Sequence, residues 1–288
     1  MPELSFLYDL LQTLLPFEIM QMRFMQQALL GLLLLAPMVA LMGVQVVNFR
    51  MAFFADAISH SAFTGVALGL IFTVSPLWTM PIFALLVGLA IVAGQRRSNL
   101  PGDTVIGVFF SGIVAFGLAV VSRDKNVARD IQRFLYGDIL GIGETDLWLM
   151  LALLVVLVSF QIYGYNRMLY IGVNPLLAKV HRVRVAAYQY LYAALLSLVV
   201  ILSVRAVGVL LVTAMLIVPA ATARNLARSA GGMVWWALLV SLGSALAGLL
   251  ISAQDWAGTA TGATVILVAF ACFLVSLIPP LLRGKAQA

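Results

Sequence analysis

The stretch RMAFFADAISHSAFTGVALGL (residues 50–70) is apolar enough to lie in a lipid bilayer, yet it contains Asp56 and His60. On an α-helix these residues are one turn apart and their side chains project from the same face. A charged side chain inside a span costs at least about 2.5 kcal/mol on insertion scales, so such residues tend to face a cavity or a partner. The stretch therefore predicts a membrane helix with a polar face directed away from lipid.

Beside the polar face, the same helix carries a stripe of small residues spaced by four. Small residues at this spacing allow a neighbouring helix to pack closely. We expect this stripe to fix the orientation of the helix, so that the polar face points at a defined neighbour. The residues are Ala57, Ser61, Gly65 and Gly69.

The composition of the whole chain extends this prediction. Of its 288 residues, 63% are hydrophobic and 10% are charged, too few charges to cover a soluble domain. Apolar runs recur without the alternation of barrel strands, which predicts an all-α, polytopic integral membrane protein with about 8–9 transmembrane helices. The predicted spans are 27–48, 52–74, 77–95, 104–122, 147–165, 187–205, 207–226, 234–253 and 262–282.

We interpret residues 1–288 as a single transmembrane domain. Residues 1–26 mix leucines with charged residues and contain Pro16, which is typical of an interfacial segment rather than a span. The long outer loop, residues 122–146, is either a connector lying on the membrane or an external gate or docking surface for a soluble partner.

The basic residues predict the orientation of the chain. Eleven of the 17 Lys and Arg residues fall on one side of the nine-span scheme. The positive-inside rule makes that side cytoplasmic, with the N-terminus outside and the C-terminus inside. Topology also accounts for the net charge of +6, so we expect no nucleic-acid partner. The eleven residues are Arg50, Arg96, Arg97, Arg167, Lys179, Arg182, Arg184, Arg224, Arg228, Arg283 and Lys285.

The chemistry of Asp56 and His60 suits a divalent metal ion. A carboxylate oxygen and an imidazole nitrogen can ligate one ion together, and this mixture fits zinc or manganese. Two ligands are too few for a tight structural site, which suits an ion in transit, and a two-fold dimer would supply the others. In the structural alternative, Asp56 caps the span near the cytoplasmic interface and His60 hydrogen-bonds a neighbouring helix.

The inner loop, residues 166–186, contains a second candidate segment. Asn174 can cap a short helix whose first turn takes Pro175. Such a helix can lie against lipid headgroups or insert into the groove of a cytoplasmic partner, and composition alone favours neither. The segment comprises Asn174, Pro175, Leu176, Leu177, Ala178, Lys179, Val180 and His181.

Two catalytic motifs do not occur in the sequence. The absence of Gly-x-x-x-x-Gly-Lys-Ser/Thr indicates that this chain does not hydrolyse ATP, and the absence of His-Glu-x-x-His argues against an intramembrane zinc protease. We therefore expect a protein that is not an enzyme and that binds no cofactor itself.

Four motifs carry a resemblance to a known family. They are MAFFADAISHSAFTGVALG (51–69), GDTVIGVFFSG (102–112), FLYGDIL (134–140) and LLVTAMLIVPAATAR (210–224). Together they resemble the permease subunits of bacterial ABC importers for zinc, manganese or iron(II), over nearly the whole chain. The sequence departs from the family pattern at Ile58, where leucine is usual, and at Asn174, where an acidic residue often stands.

This resemblance implies a permease that imports a divalent transition-metal ion, zinc or manganese, across the bacterial inner membrane. It implies a homodimer joined to two cytoplasmic ABC ATPase subunits, which bind the ATP, and supplied by an extracytoplasmic metal-binding protein. Asp56 and His60 match the family positions proposed to ligate the ion along its pathway. Residues 174–181 match the coupling helix that sits in the ATPase groove.

Three rival functions make different predictions. A permease for an iron chelate or cobalamin would have a wide, metal-free pore, and its Asp56/His60 pair would tolerate substitution. A secondary metal-ion transporter would work without ATPase subunits. A structural membrane scaffold would have no use for the pair.

Overall fold

The computed structural model describes residues 22–122, 141–254 and 258–278, and every regular element within these ranges is a helix. This confirms the predicted all-α fold. Eight of these helices are long and apolar enough to cross a membrane, whereas Pro175–Val180 has six residues and Thr261–Ser276 has 16. The helices are α1 (Arg23–Asn48), α2 (Phe54–Ile71), α3 (Pro76–Arg97), α4 (Gly102–Val121), α5 (Glu144–Val173), α6 (Pro175–Val180), α7 (Val185–Val207), α8 (Val209–Leu226), α9 (Ala230–Ser252) and α10 (Thr261–Ser276).

Three sequence predictions fall partly or wholly outside the described residues. The interfacial segment 1–26 is described from residue 22, and α1 already begins at Arg23. Most of the outer loop 122–146 and the end of the predicted span 262–282 also lie outside the described ranges.

The helix α5 is much longer than the predicted span 147–165. Its 30 residues extend to Val173, and at 1.5 Å per residue they cover about 45 Å, more than the roughly 30 Å of a hydrocarbon core. The prediction ended the span before Asn166 and Arg167, which looked like the start of a loop. In the fold, Arg167 donates a hydrogen bond to the hydroxyl of Tyr188 on α7, and the helix continues past it.

The interior of the bundle is formed mainly by α1, α2 and α7, the most deeply buried spans. On one side α1 packs against α5, α8 and α9, and on the other α2 packs against α3, α4 and α7. The contact between α1 and α8 is close at Gly43, where a Cβ atom would collide with the carbonyl oxygen of Leu216. Glycine at this position therefore allows the two backbones to meet.

The small-residue stripe of α2 packs as expected from the sequence. All four of its residues are buried. A Cβ atom added to Gly65 would lie 2.9 Å from the Cα atom of Met80 and 3.2 Å from the carbonyl oxygen of Thr79, both on α3. The stripe thus lies against the backbone of α3 and orients α2.

Contacts between helix termini define the two ends of the bundle. At one end, which we call the basic end, Arg96 of α3 donates to Gln189 of α7 over 2.8 Å, and Arg224 of α8 donates to Asn48 of α1 over 3.3 Å. At the opposite end, Arg205 of α7 forms an ion pair with Asp146 of α5. The basic end corresponds to the side that the sequence predicts to be cytoplasmic.

Candidate metal site and coupling helix

The helix α2 begins inside the bundle and not at its surface. A Cβ atom on Gly88 of α3 would lie 3.3 Å from the Phe54 ring and 3.4 Å from the Ile58 side chain. Gly88 precedes the end of α3 at Arg97 by nine residues, which is about 14 Å along the helix axis. The first turn of α2, which carries Asp56, therefore lies well inside the span.

This depth contradicts the structural alternative for Asp56. The N-cap of α2 is Phe53, and no side chain caps the helix. Asp56 instead occupies the first turn, where the partial positive charge of the helix N-terminus favours a carboxylate. The interpretation of Asp56 as an interfacial cap is wrong.

The carboxylate of Asp56 has two neighbours in the fold. It lies close enough to the imidazole of His60 to interact with it electrostatically, as the spacing of four predicts, and it lies near the hydroxyl of Thr213 on α8. The other acceptor near the Thr213 hydroxyl is the carbonyl of Leu210, at a long 3.4 Å. The hydroxyl donates to that carbonyl. The half-buried carboxylate of α2 thus faces α8 at Thr213.

The imidazole of His60 lies on the outside of the single chain. His60 is exposed. Its ring contacts the ring of Phe110 on α4 edge to face, with centroids 5.1 Å apart and an interplanar angle of 79°. Phe110 therefore limits the orientations of the imidazole while leaving it accessible from outside the chain.

The described residues of one chain do not complete a metal site. Among them, no group of three or more His, Cys, Asp or Glu residues comes together. The structure places the predicted ligands Asp56 and His60 side by side, but the remaining ligands of a typical transition-metal site must come from elsewhere.

The short helix α6 has the predicted boundaries and cap. Asn174 accepts hydrogen bonds from the backbone N–H groups of Leu176 at 2.8 Å and Leu177 at 3.4 Å. Beyond its last residue, His181 stacks on Tyr170 of α5 with ring centroids 5.4 Å apart. Together with the fully buried Ala178, these contacts hold α6 in a fixed position at the basic end.

The outer face of α6 is apolar and exposed. Leu176, Leu177 and Val180 are 69%, 52% and 76% exposed. Because exposed apolar side chains that cluster on one element mark interaction sites, this face is suited to insertion into a groove.

Sequence reasoning missed Thr213 and Phe110 as neighbours of the polar pair. The available signal for Thr213 was a hydroxyl within the otherwise apolar run LLVTAML (210–216). No comparable signal marks Phe110, because one aromatic residue among many apolar ones does not indicate which helix it will meet.

These features define a polytopic α-helical membrane protein that carries a carboxylate and an imidazole side by side on one of its membrane helices. Residues 21–279 match the model of the ABC 3 transport family, and the chain belongs to that family. This confirms the family predicted from the motifs.

Individual relatives agree with this assignment. The chain is 35% identical over 250 residues to the high-affinity zinc uptake system membrane protein ZnuB of Haemophilus influenzae, covering 87% of this chain and 95% of that protein. It is 32% identical over 254 residues to the manganese import system permease protein ScaB of Streptococcus gordonii, covering 88% and 90%. Its fold is similar to PsaBC from Streptococcus pneumoniae, solved in complex with Fab, with a TM-score of 0.75, 28% identity and 95% of each chain covered.

The position of the Thr213 hydroxyl beside the Asp56 carboxylate leads to a prediction about substrate affinity. We expect Thr213→Val to raise the apparent KM for metal uptake roughly tenfold, because groups that hold a metal ligand in place typically contribute 10–100-fold to affinity. Thr213→Ser keeps the hydroxyl and should stay close to wild type. Uptake measured over a range of metal concentrations distinguishes the two variants, and equal behaviour of valine and serine would contradict the assigned role.

Proposed function

We propose that this chain is the transmembrane permease subunit of an ATP-driven ABC importer that moves a divalent transition-metal ion, zinc or manganese, into the cytoplasm. The observation that carries the proposal is the pairing of a carboxylate and an imidazole inside the span. Membership of a transport family and similarity to a zinc uptake protein and a manganese import permease support it.

The ion is proposed to bind between two copies of the chain. Two copies related by a two-fold axis would bring together two Asp56 carboxylates and two His60 imidazoles, the four ligands of a transition-metal site. The exposure of His60 supports this arrangement. So do two exposed small residues of α4, because small residues admit a close approach by another helix; Gly107 lies three residues before Phe110 and Ser111 directly after it.

The partners are proposed to bind at opposite ends of this homodimer. Residues 174–181 act as the coupling helix and insert into grooves of two cytoplasmic ABC ATPase subunits, which bind and hydrolyse the ATP. The exposed apolar face of α6 and its firm attachment to α5 support this role. An extracytoplasmic metal-binding protein delivers the ion at the opposite end.

The proposed orientation follows from the charges. The transporter lies in the bacterial inner membrane with the basic end in the cytoplasm, the N-terminus outside and the C-terminus inside. Arg50, Arg96 and Lys179 all lie at the basic end, and this asymmetry supports the assignment under the positive-inside rule.

Transport by this route requires the Asp56/His60 pair to be accessible first from one side of the membrane and then from the other. When the ATPase subunits close on ATP, α6 is displaced, and the displacement passes through α5 and α7 to α2. The two α2 helices then shift about the dimer axis and carry the Asp56/His60 pairs from one opening to the other. The proximity of Thr213 to Asp56 supports the inclusion of α8 in the same movement.

Reconstitution tests this function directly. The purified chain, its ATPase subunits and its metal-binding protein are placed in vesicles, and uptake of zinc, manganese and iron(II) is measured alone and in competition. ATP-dependent uptake of one ion, with the others as weaker competitors, supports the proposal and identifies the metal. Uptake by the chain without ATPase subunits would instead establish a secondary transporter, and uptake restricted to a chelate would establish the rival ABC permease.

A further inference from the structure

A cationic cavity of about 570 Å³ lies at the basic end beside α6. Its walls come from the α1–α2 turn, the ends of α3 and α5, α6 itself and the start of α7. Arg50, Arg96 and Lys179 line it, and no acidic residue is among the described residues of its lining. The cavity therefore concentrates positive charge next to the coupling helix.

A second cavity of about 530 Å³ continues the first. The two share Asn48, Arg50, Gly172 and Val173, and the second adds Arg224. We call the combined space the basic cavity and define it by its four cations, which are Arg50, Arg96, Lys179 and Arg224.

Two of the four cations of the basic cavity are held by neutral groups. Arg96 donates to the amide oxygen of Gln189 at 2.8 Å, and Arg224 donates to that of Asn48 at 3.3 Å. Within the described residues, the ion pairs formed by arginine join Arg23 to Glu144 and Arg205 to Asp146, far from this cavity. A carboxylate entering the cavity would thus meet several cations whose charge is not yet neutralised.

Arg50 occupies a backbone position that favours glycine. The helix α1 ends in a Schellman motif, with the N–H of Met51 bonded to the carbonyl of Val46 at 3.0 Å and the N–H of Arg50 to that of Val47 at 3.3 Å. Arg50 occupies the left-handed position of this motif, with φ of 55°. Glycine is favoured there because a Cβ atom strains the backbone, so arginine occupies this position at a conformational cost.

We propose that an acidic side chain of the cytoplasmic ATPase subunit enters the basic cavity and contacts Lys179 and Arg50 together. This inference rests on the proposed function, since it assigns the chemistry by which the ATPase binds beside α6. It also gives a direct connection to the metal site. Arg50 precedes Asp56 by six residues, so a carboxylate bound to both cations links the coupling helix to the turn that leads into α2.

The position of the basic cavity favours a protein partner over a lipid headgroup. It lies beneath α1 and α7, two of the most buried spans. One of its lining residues, Tyr192, is fully buried and donates its hydroxyl to the carbonyl of Met42 at 3.0 Å. Its place beside α6 also puts it next to the surface that the ATPase subunit is proposed to bind.

Charge reversal tests this inference with a matched pair of variants. Arg96→Glu reverses a cation of the cavity, whereas Arg97→Glu reverses the next residue of α3, which is exposed and does not line the cavity. We expect Arg50→Glu and Lys179→Glu, which reverse the two cations of the proposed contact, to weaken binding of the purified ATPase subunit to the full-length permease in lipid nanodiscs about tenfold, as loss of a charge-assisted contact does. Arg96→Glu reverses a third cation of the same cavity and should also weaken binding. Arg97→Glu should bind like the wild type.

A further variant guards against misfolding at Arg50. Arg50→Gly suits the left-handed backbone and removes the cation, so it should fold normally and still weaken ATPase binding. Equal binding by all these variants, with the wild type binding normally, would overturn the inference and leave the proposed function intact. Loss of co-purifying anionic phospholipid with unchanged ATPase binding would overturn it in favour of a lipid phosphate. A wild type that binds no ATPase subunit would refute the proposed function itself.

Discussion

Replacement of His60 by glutamine, or of Asp56 by asparagine, is expected to lower metal uptake by about 100-fold or more. Each substitution removes two of the four proposed ligands, because both copies of the chain contribute the same residue. Loss of a group that merely supports a metal ligand already costs 10–100-fold in many sites, so loss of the ligands themselves should exceed that range. Uptake of radioactive zinc or manganese by vesicles containing the complete transporter measures the effect.

The neighbouring Ser59 provides the control for this prediction. It lies on the same helix between the two ligands, is fully buried, and its hydroxyl has no hydrogen-bond partner among the described residues. Ser59→Ala removes a polar group from α2 without removing a bond, so it should leave uptake near the wild-type level.

Two outcomes bear on the role of the pair. Undiminished uptake by Asp56→Asn or His60→Gln, at normal expression and with the ATPase subunits bound, would refute it and favour a chelate permease. Equal losses in these variants and in Ser59→Ala would show that α2 is merely sensitive to substitution.

The sequence predicted which face of α2 packs against another helix and which face is polar, because one carries small residues and the other carries Asp56 and His60. Four small residues spaced by four specify a close helix contact whichever helix supplies it, and α3 supplies it. The relative positions of Asp56 and His60 followed from helix geometry alone. By contrast, the depth at which α2 begins depends on its packing against Gly88 of α3, which no local pattern reveals.

The other differences between the sequence predictions and the structure also arise from contacts between helices. The prediction ended α5 at its polar residues, but Tyr188 of another helix satisfies Arg167 and lets α5 continue toward α6. The contact between Thr213 and Asp56 joins residues far apart in the chain. Local capping was predictable, since the Asn174 side chain bonds backbone groups two and three residues away. Contacts between helices were not.

Replacement of Leu176 and Leu177 together by aspartate is expected to abolish ATP-dependent uptake while leaving the permease folded. Both side chains project from α6 and are exposed, whereas the contacts that hold α6 in place involve Ala178, Asn174 and His181. Two charges on the face that enters the ATPase groove would have to be desolvated there, at several kcal/mol each, so the complex should not form.

The loop between α3 and α4 supplies the control for this double variant. Leu100 is 55% exposed at the same end of the bundle but does not lie on α6, so Leu100→Asp adds a similar charge outside the coupling helix. Co-purification of the ATPase subunits and ATP-dependent uptake should be lost in the double variant and kept in Leu100→Asp. Retention of both activities in the double variant would mean that α6 lies against lipid headgroups, and ATP hydrolysis would then have to reach Asp56 and His60 through another surface of the basic end.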